Sequence, residues 1–147
     1  MAKISIQPLE HMFSLPAYQT AGSAGMDLHA AIPEDSPITL KYRDTAIIPL
    51  GFCMAIPQGL EAQIRSRSGL AAKHGVVVLN SPGTIDSDYR GEVMVMLTNH
   101  GRKEFKIERG MRVAQMVLAT YRVGDLRTVE ELDDTERGTG GFGSTGQ

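Results

Sequence analysis

Short apolar runs, cut off by glycine, proline and aspartate, fill this chain, and almost none is long enough to make a helix. Ile4-Ser-Ile6 is one. Residues 45–50 and 51–56 are two more, each punctuated by proline. Residues 61–65 and 92–99 alternate, residues 76–79 are a continuous run rich in valine, and residues 105–107 and 111–121 complete the set. Many short strands between turn residues pack as a sandwich or a barrel, so the expected fold is all-β. Only residues 69–74 look helical, with Ser66 or Ser68 as the expected N-cap and Gly75 as the residue that ends the helix.

Beyond residue 123 the pattern changes. Residues 124–136 carry Asp125, Glu130, Glu131, Asp133, Asp134 and Glu136, and residues 137–147 hold five glycines. Glycine adds backbone entropy and no apolar surface, so this end builds no core. We read residues 1–123 as the β-barrel domain, 124–136 as an acidic linker, and 137–147 as a tail that closes over a nucleotide, the plainer alternative being a disordered end without function. Glycine N–H groups can approach an anion and Arg137 can pair with phosphate. Ser144 and Thr145 can add hydroxyl donors, and Phe142 can stack on a planar ring. Residues 138–143 satisfy G-x-G-x-x-G literally, but an acidic linker precedes them where a dinucleotide site needs a strand.

A chain of 147 residues with net charge −2 suits one domain and offers no basic face, so no nucleic-acid partner is expected. The single cysteine, Cys53, excludes an internal disulfide and a cysteine-cluster zinc site, and its apolar surroundings predict burial. No stretch reaches membrane length, and Lys3 is not followed by a long apolar run, so a cytoplasmic protein without a membrane partner is expected.

Four segments could carry chemistry. Residues 80–91 join two strands expected to pair as a hairpin. Asp86 and Asp88 lie two apart there, on one face if the backbone is extended, and a carboxylate beside a phosphate can deprotonate water. Turn-making is the plainer role for both. Arg65-Ser-Arg-Ser-Gly-Leu-Ala71 puts two arginines and two hydroxyls at the helix start, which suits an anion or simply a solvated cap. Asp27 lies in a glycine- and alanine-rich stretch, and alone it is weak evidence for a metal. Arg112 and Gln115 are polar positions in an apolar run, read locally as an edge or subunit contact. The four histidines show no metal-binding spacing and are read as structural or surface residues, and no Walker A sequence is present.

In this order the segments resemble the trimeric dUTP pyrophosphatase (dUTPase) family over essentially the whole chain. Its five motifs appear as Ala24-Gly-Met-Asp-Leu28, Arg67-Ser-Gly-Leu-Ala71, Gly83-Thr-Ile-Asp-Ser-Asp-Tyr-Arg-Gly91, Arg109-Gly-Met-Arg-Val-Ala-Gln115, and the tail from Arg137 to Gly146. Ser66 stands where many relatives have proline, and Met26 where an aromatic is common. The resemblance implies a jelly-roll-like β-barrel, a homotrimer with shared active sites, and hydrolysis of dUTP to dUMP and pyrophosphate. That reaction limits uracil incorporation into DNA and supplies dUMP for thymidylate synthesis.

It also implies roles. Asp86 is the catalytic base that positions water for attack on the α-phosphorus, and it contacts the sugar 3′-hydroxyl. Tyr89 packs against the sugar and excludes a 2′-hydroxyl. Asn80 and backbone groups of the hairpin, with Gly83, Thr84 and Ile85 among its residues, read the uracil edge, and Met94 is a further substrate-binding residue. Arg67, Ser68, Gly69 and Gln115 bind phosphate, and Arg112 is structural. Phe142 and Gly143 cover the uracil, while Arg137, Ser144 and Thr145 grip the distal phosphates. Mg²⁺ is the implied cofactor, held mainly by the triphosphate, with Asp27 and Gln115 reaching it through water. The competing readings are a dCTP deaminase-like enzyme using Glu92, and a silent nucleotide-binding protein on the same scaffold.

Overall fold

The computed structural model describes residues 2–141. Twelve elements follow in chain order: β1 (Ser5–Pro8), β2 (Ala17–Tyr18), β3 (Met26–His29), β4 (Ile38–Leu40), β5 (Thr45–Ala55), β6 (Leu60–Arg65), α1 (Ser68–His74), β7 (Val76–Val78), β8 (Gly83–Ile85), β9 (Glu92–Asn99), β10 (Phe105–Ile107) and β11 (Arg112–Thr120). They form a four-stranded sheet ordered β1-β5-β9-β7, a five-stranded sheet ordered β2-β3-β11-β6-β8, and the pair β10-β4. Every strand pairing is antiparallel. The fold is all-β, a jelly-roll-like barrel with one short helix, as expected.

The inward residues of all three sheets meet in one core. Ile48, Leu50, Phe52, Val93, Val95 and Leu97 come from the four-stranded sheet, Leu28, Ala62, Ile64, Ala114 and Met116 from the five-stranded one, and Leu40 and Ile107 from the small pair. β9 shows why: Val93, Val95 and Leu97 are buried while Met94 is exposed, the period of two that a one-sided strand requires.

Residues 45–56 are not two strands but one, β5, which runs through Pro49 and Gly51. Its register with β9 slips between Pro49 and Cys53. Proline lacks the ladder donor and is tolerated where such a bulge interrupts pairing. Gly51 takes φ +76 there, and a Cβ would collide with the Met12 backbone. The Gly51 N–H that the bulge frees donates to Glu92 Oε1 at 2.9 Å. Cys53 is half-buried rather than buried, because it alternates with the inward Phe52 and Met54.

Strands β7 and β9 do pair as the expected outer strands of the connection over residues 80–91. Within it, β8 crosses to the other sheet and pairs with β6. The helix begins at Ser68 with Arg67 in the N-cap position and no side-chain cap, so neither serine caps it. Ser66 Oγ instead accepts from the Val78 N–H at 2.9 Å. Gly75, at φ +70, ends the helix as anticipated. Among the described residues no helix or strand follows Thr120, and residues 121–136 are exposed throughout.

Candidate active site

The chemistry-bearing segments gather along β6, at its two ends. At the Arg65 end, β11 lies between β3 and β6, with Gln115 opposite both Asp27 and Arg65. Asp27 is half-buried, and both of its oxygens are engaged: Oδ1 accepts from Arg67 Nε and Oδ2 from Arg112 Nη1, each at 3.1 Å. Arg67 Nη1 also donates to the Arg112 carbonyl at 3.2 Å. Gln115 Nε2 donates to Ser66 O at 2.9 Å, and Oε1 lies where a Cβ on Gly25 would collide with it. Ser68 and Gly69 follow Arg67 in the first turn of α1. Arg65 is turned away, its guanidinium spent on Gln63 Oε1.

His29 closes this cluster. It sits opposite Arg112 in register, shares a 2.9 Å hydrogen bond with Ser14 Oγ and packs on the Phe13 ring. Burial pushes its pKa below the ordinary value. Asp27 pulls the other way, while Arg112 and Arg67 add to the lowering. The fold thus favours the neutral His29 ring.

At the Leu60 end, β8 delivers Asp86. Ile85 pairs with Ala62, so Asp86 emerges beside the start of β6. The next residues are not extended: the Tyr89 N–H donates to the Asp86 carbonyl, closing a turn. Asp86 and Asp88 nonetheless line one open groove of about 660 Å³, with Ser87, Arg90, Gln58, Ile56 and Tyr121. Asp86 is exposed, and among the described residues its carboxylate has no hydrogen-bond or ion-pair partner. The Tyr89 hydroxyl donates to the Glu92 carbonyl at 2.9 Å, which fixes the ring beside the turn. Asn80 lies next to Gly83, which is buried opposite Ile64, while Thr84 faces Gln63.

The two ends are well separated. Five residues run from Ala62 to Arg67, which at ~3.3 Å per residue places Asp86 on the order of 15 Å from the Arg67 cluster. Met94 lies elsewhere, exposed on the outward face of β9 opposite Pro49. Glu92 is bound by the Gly51 N–H and by His11 Nε2 at 2.7 Å, a lock on the β5 bulge. Arg137 is described, with Nε donating to Gly140 O. Phe142, Gly143, Ser144 and Thr145 lie outside the described residues.

Two features were not anticipated. Arg112, read as structural, shares the Asp27 carboxylate with Arg67. The outward face of the four-stranded sheet is apolar, with Ile47, Leu79 and Met94 all about half exposed. Ile47 opposes Met96, and the Leu79 N–H donates to the Met96 carbonyl, so these side chains form one patch. Among the described residues, no three His, Cys, Asp or Glu side chains cluster as metal ligands, and no helix is long and apolar enough to cross a membrane.

The sequence model of the dUTPase family matches residues 11–146. The deoxyuridine 5'-triphosphate nucleotidohydrolase of Orientia tsutsugamushi (strain Boryong) is 57% identical over 141 residues, covering 96% of this chain and 94% of that one. The Staphylococcus bacteriophage 80alpha dUTPase, solved with dUpNHpp, aligns with a TM-score of 0.87 at 25% identity over 99% of each chain. A mutant dUTPase from phage phi11 of S. aureus, solved with a structural Mg(II) ion, aligns with a TM-score of 0.79 at 21% identity, covering 90% of this chain and 99% of that one. At that identity the likeness bears on the fold alone.

Proposed function

Because this chain belongs to the dUTPase family, we propose that it hydrolyses dUTP to dUMP and pyrophosphate, with Asp86 as the base. The observation that carries the assignment is the state of the carboxylates. Asp27 is neutralised by two arginines and Glu92 is tied to Gly51 and His11, whereas Asp86 and Asp88 stand in an open groove without partners among the described residues, and of these two Asp86 is the one the family motif matches as the base. Only a carboxylate free to accept a proton can activate water for attack on the α-phosphorus. The engagement of Glu92 also leaves the deaminase-like reading without its glutamate.

Tyr89 would pack on the sugar, its ring held by the Glu92 carbonyl. Asn80 and the backbone of Gly83, Thr84 and Ile85 would meet the base. A site that pairs the uracil edge leaves polar groups unpaired when it is offered cytosine. Arg67, Ser68, Gly69 and Gln115 would take the phosphates, with Arg137, Ser144 and Thr145 on the distal ones. Phe142 and Gly143 would cover the base.

The donor set fits a cation held through water. Gln115 Oε1 accepts no hydrogen bond from the described residues, and each Asp27 oxygen keeps a lone pair beyond its one guanidinium. Mg²⁺ chelated by the triphosphate would neutralise charge developing on the leaving pyrophosphate.

In one copy Asp86 and Arg67 lie at opposite ends of β6, on the order of 15 Å apart along the backbone. A second copy that supplies the other half would complete the site. The apolar outward patch of Ile47, Leu79, Met94 and Met96 provides a surface for such contacts, since a solvated sheet face is normally polar. A homotrimer with shared sites satisfies both. The reaction would run in the cytoplasm, with the nucleotide pool, and would limit uracil in DNA while supplying dUMP.

The test is pyrophosphate release with dUTP, dTTP, dCTP and UTP, each with Mg²⁺. Release from dUTP alone is expected. Binding of dUTP without release from any of them would instead support the silent binding protein.

A further inference from the structure

We infer that Arg112 is a positioning residue for phosphate binding, holding Asp27 so that Arg67 keeps donors free for the substrate; this rests on the functional reading above. An isolated carboxylate beside one arginine takes two N–H bonds in a fork. Here the fork is divided. Arg67 gives Asp27 only its Nε–H, and Arg112 occupies the second oxygen. Arg67 Nη2 is left without a partner among the described residues. Without Arg112, Oδ2 would be open to a second bond from Arg67, drawing its guanidinium inward and away from a phosphate.

The strand register is built for this arrangement. Gln115 pairs with Asp27 and Ala114 with Leu28, yet Arg112, not Val113, pairs with His29. Val113 is the extra residue of a bulge, and it and Ala114 are both buried. In an unbroken ladder Arg112 would oppose Ala30, on the core face with Leu28. The bulge moves it to the face that carries His29 and Asp27. Bulges next to active sites re-aim side chains in this way.

The inference is tested by steady-state kinetics with dUTP on the full chain, comparing Arg112→Gln, Arg67→Gln and the double variant, with Tm measured beside them. Arg112→Gln is expected to raise KM about tenfold with kcat little changed, the scale of one charge-assisted hydrogen bond. In the Arg67→Gln background the same change should move KM less than about twofold, because the two act as one unit. Arg112→Lys, which keeps the charge on Asp27, should recover part of the loss and serves if Arg112→Gln does not fold. Additive effects, or a lowered Tm with unchanged KM, would overturn the inference and leave Arg112 structural. A wild-type protein that releases no pyrophosphate from dUTP would sink the functional reading instead, a result visible before any variant is made.

Discussion

Gln115 and Asp27 face each other in register across β11 and β3, and the Gln115 amide is pinned between the Ser66 carbonyl and the bare Cα of Gly25. Only a residue without a Cβ leaves Oε1 that space. Gly25→Ala should therefore displace Gln115 at little cost to the fold, since a flexible amide yields more cheaply than backbone. Turnover of dUTP should fall about tenfold, because a misplaced contact beside the phosphates costs orientation. Calorimetry should show Tm lowered by no more than about 4 °C. Full activity in this variant would remove Gln115 placement from the mechanism.

How far the sequence carries depends on whether an element is defined by its own residues or by its partners. β9 and β10 were legible to the residue, since alternation or a short apolar run between turns marks them. β3 was not: Met26-Asp-Leu-His29 sits among glycines and alanines and becomes a strand through pairing with β11. The helix was legible but its cap was not, because Ser66 serves Val78, twelve residues away. The same holds for the site. The types and order of its residues were readable, whereas the sharing of Asp27 by Arg67 and Arg112 spans 40 and 85 positions and depends on a bulge. The placing of Asp86 and Arg67 at opposite ends of β6 follows from strand register, which motif order alone does not reveal.

Asp86→Asn should bind nucleotide and turn it over very slowly. The amide keeps the shape of the side chain but accepts no proton from water. A loss of about 10²–10⁴ in kcat is expected with dUTP affinity within a few-fold, the range for removal of a general base. Rapid hydrolysis by this variant would move the base elsewhere.

Glu92→Ala should act on stability rather than chemistry. It leaves the Gly51 N–H at the β5 bulge without its acceptor, at a cost of about 1–3 kcal/mol. Urea unfolding should show that loss, while kcat for dUTP stays close to the parent value. A collapse of turnover with intact stability would bring Glu92 into the site and reopen the deaminase-like reading.

Truncation after Glu136 should leave the fold standing, because among the described residues Arg137 bonds only to Gly140 and residues 137–140 contribute nothing to the core. Turnover should fall about tenfold or more, since the removed segment carries the groups proposed to close over the substrate. Matched kcat values for the truncated and full-length chains would rule out a closing tail.

His29 should make stability depend on pH in a predictable direction. Burial, with help from Arg112 and Arg67, lowers its folded pKa below 6.5, so the fold favours the neutral ring. Between the folded value and 6.5 the unfolded chain binds more protons, and stability rises with pH across that window. The contribution is complete above 6.5 and is lost as pH falls through the folded value. His29→Gln, which can still bond Ser14, should flatten this part of the profile. Comparing the Tm of the two proteins from about pH 7.5 to about pH 5 isolates the histidine from the carboxylates they share. Parallel profiles would mean that His29 is charged as readily folded as unfolded, and that Asp27 offsets burial and the two arginines.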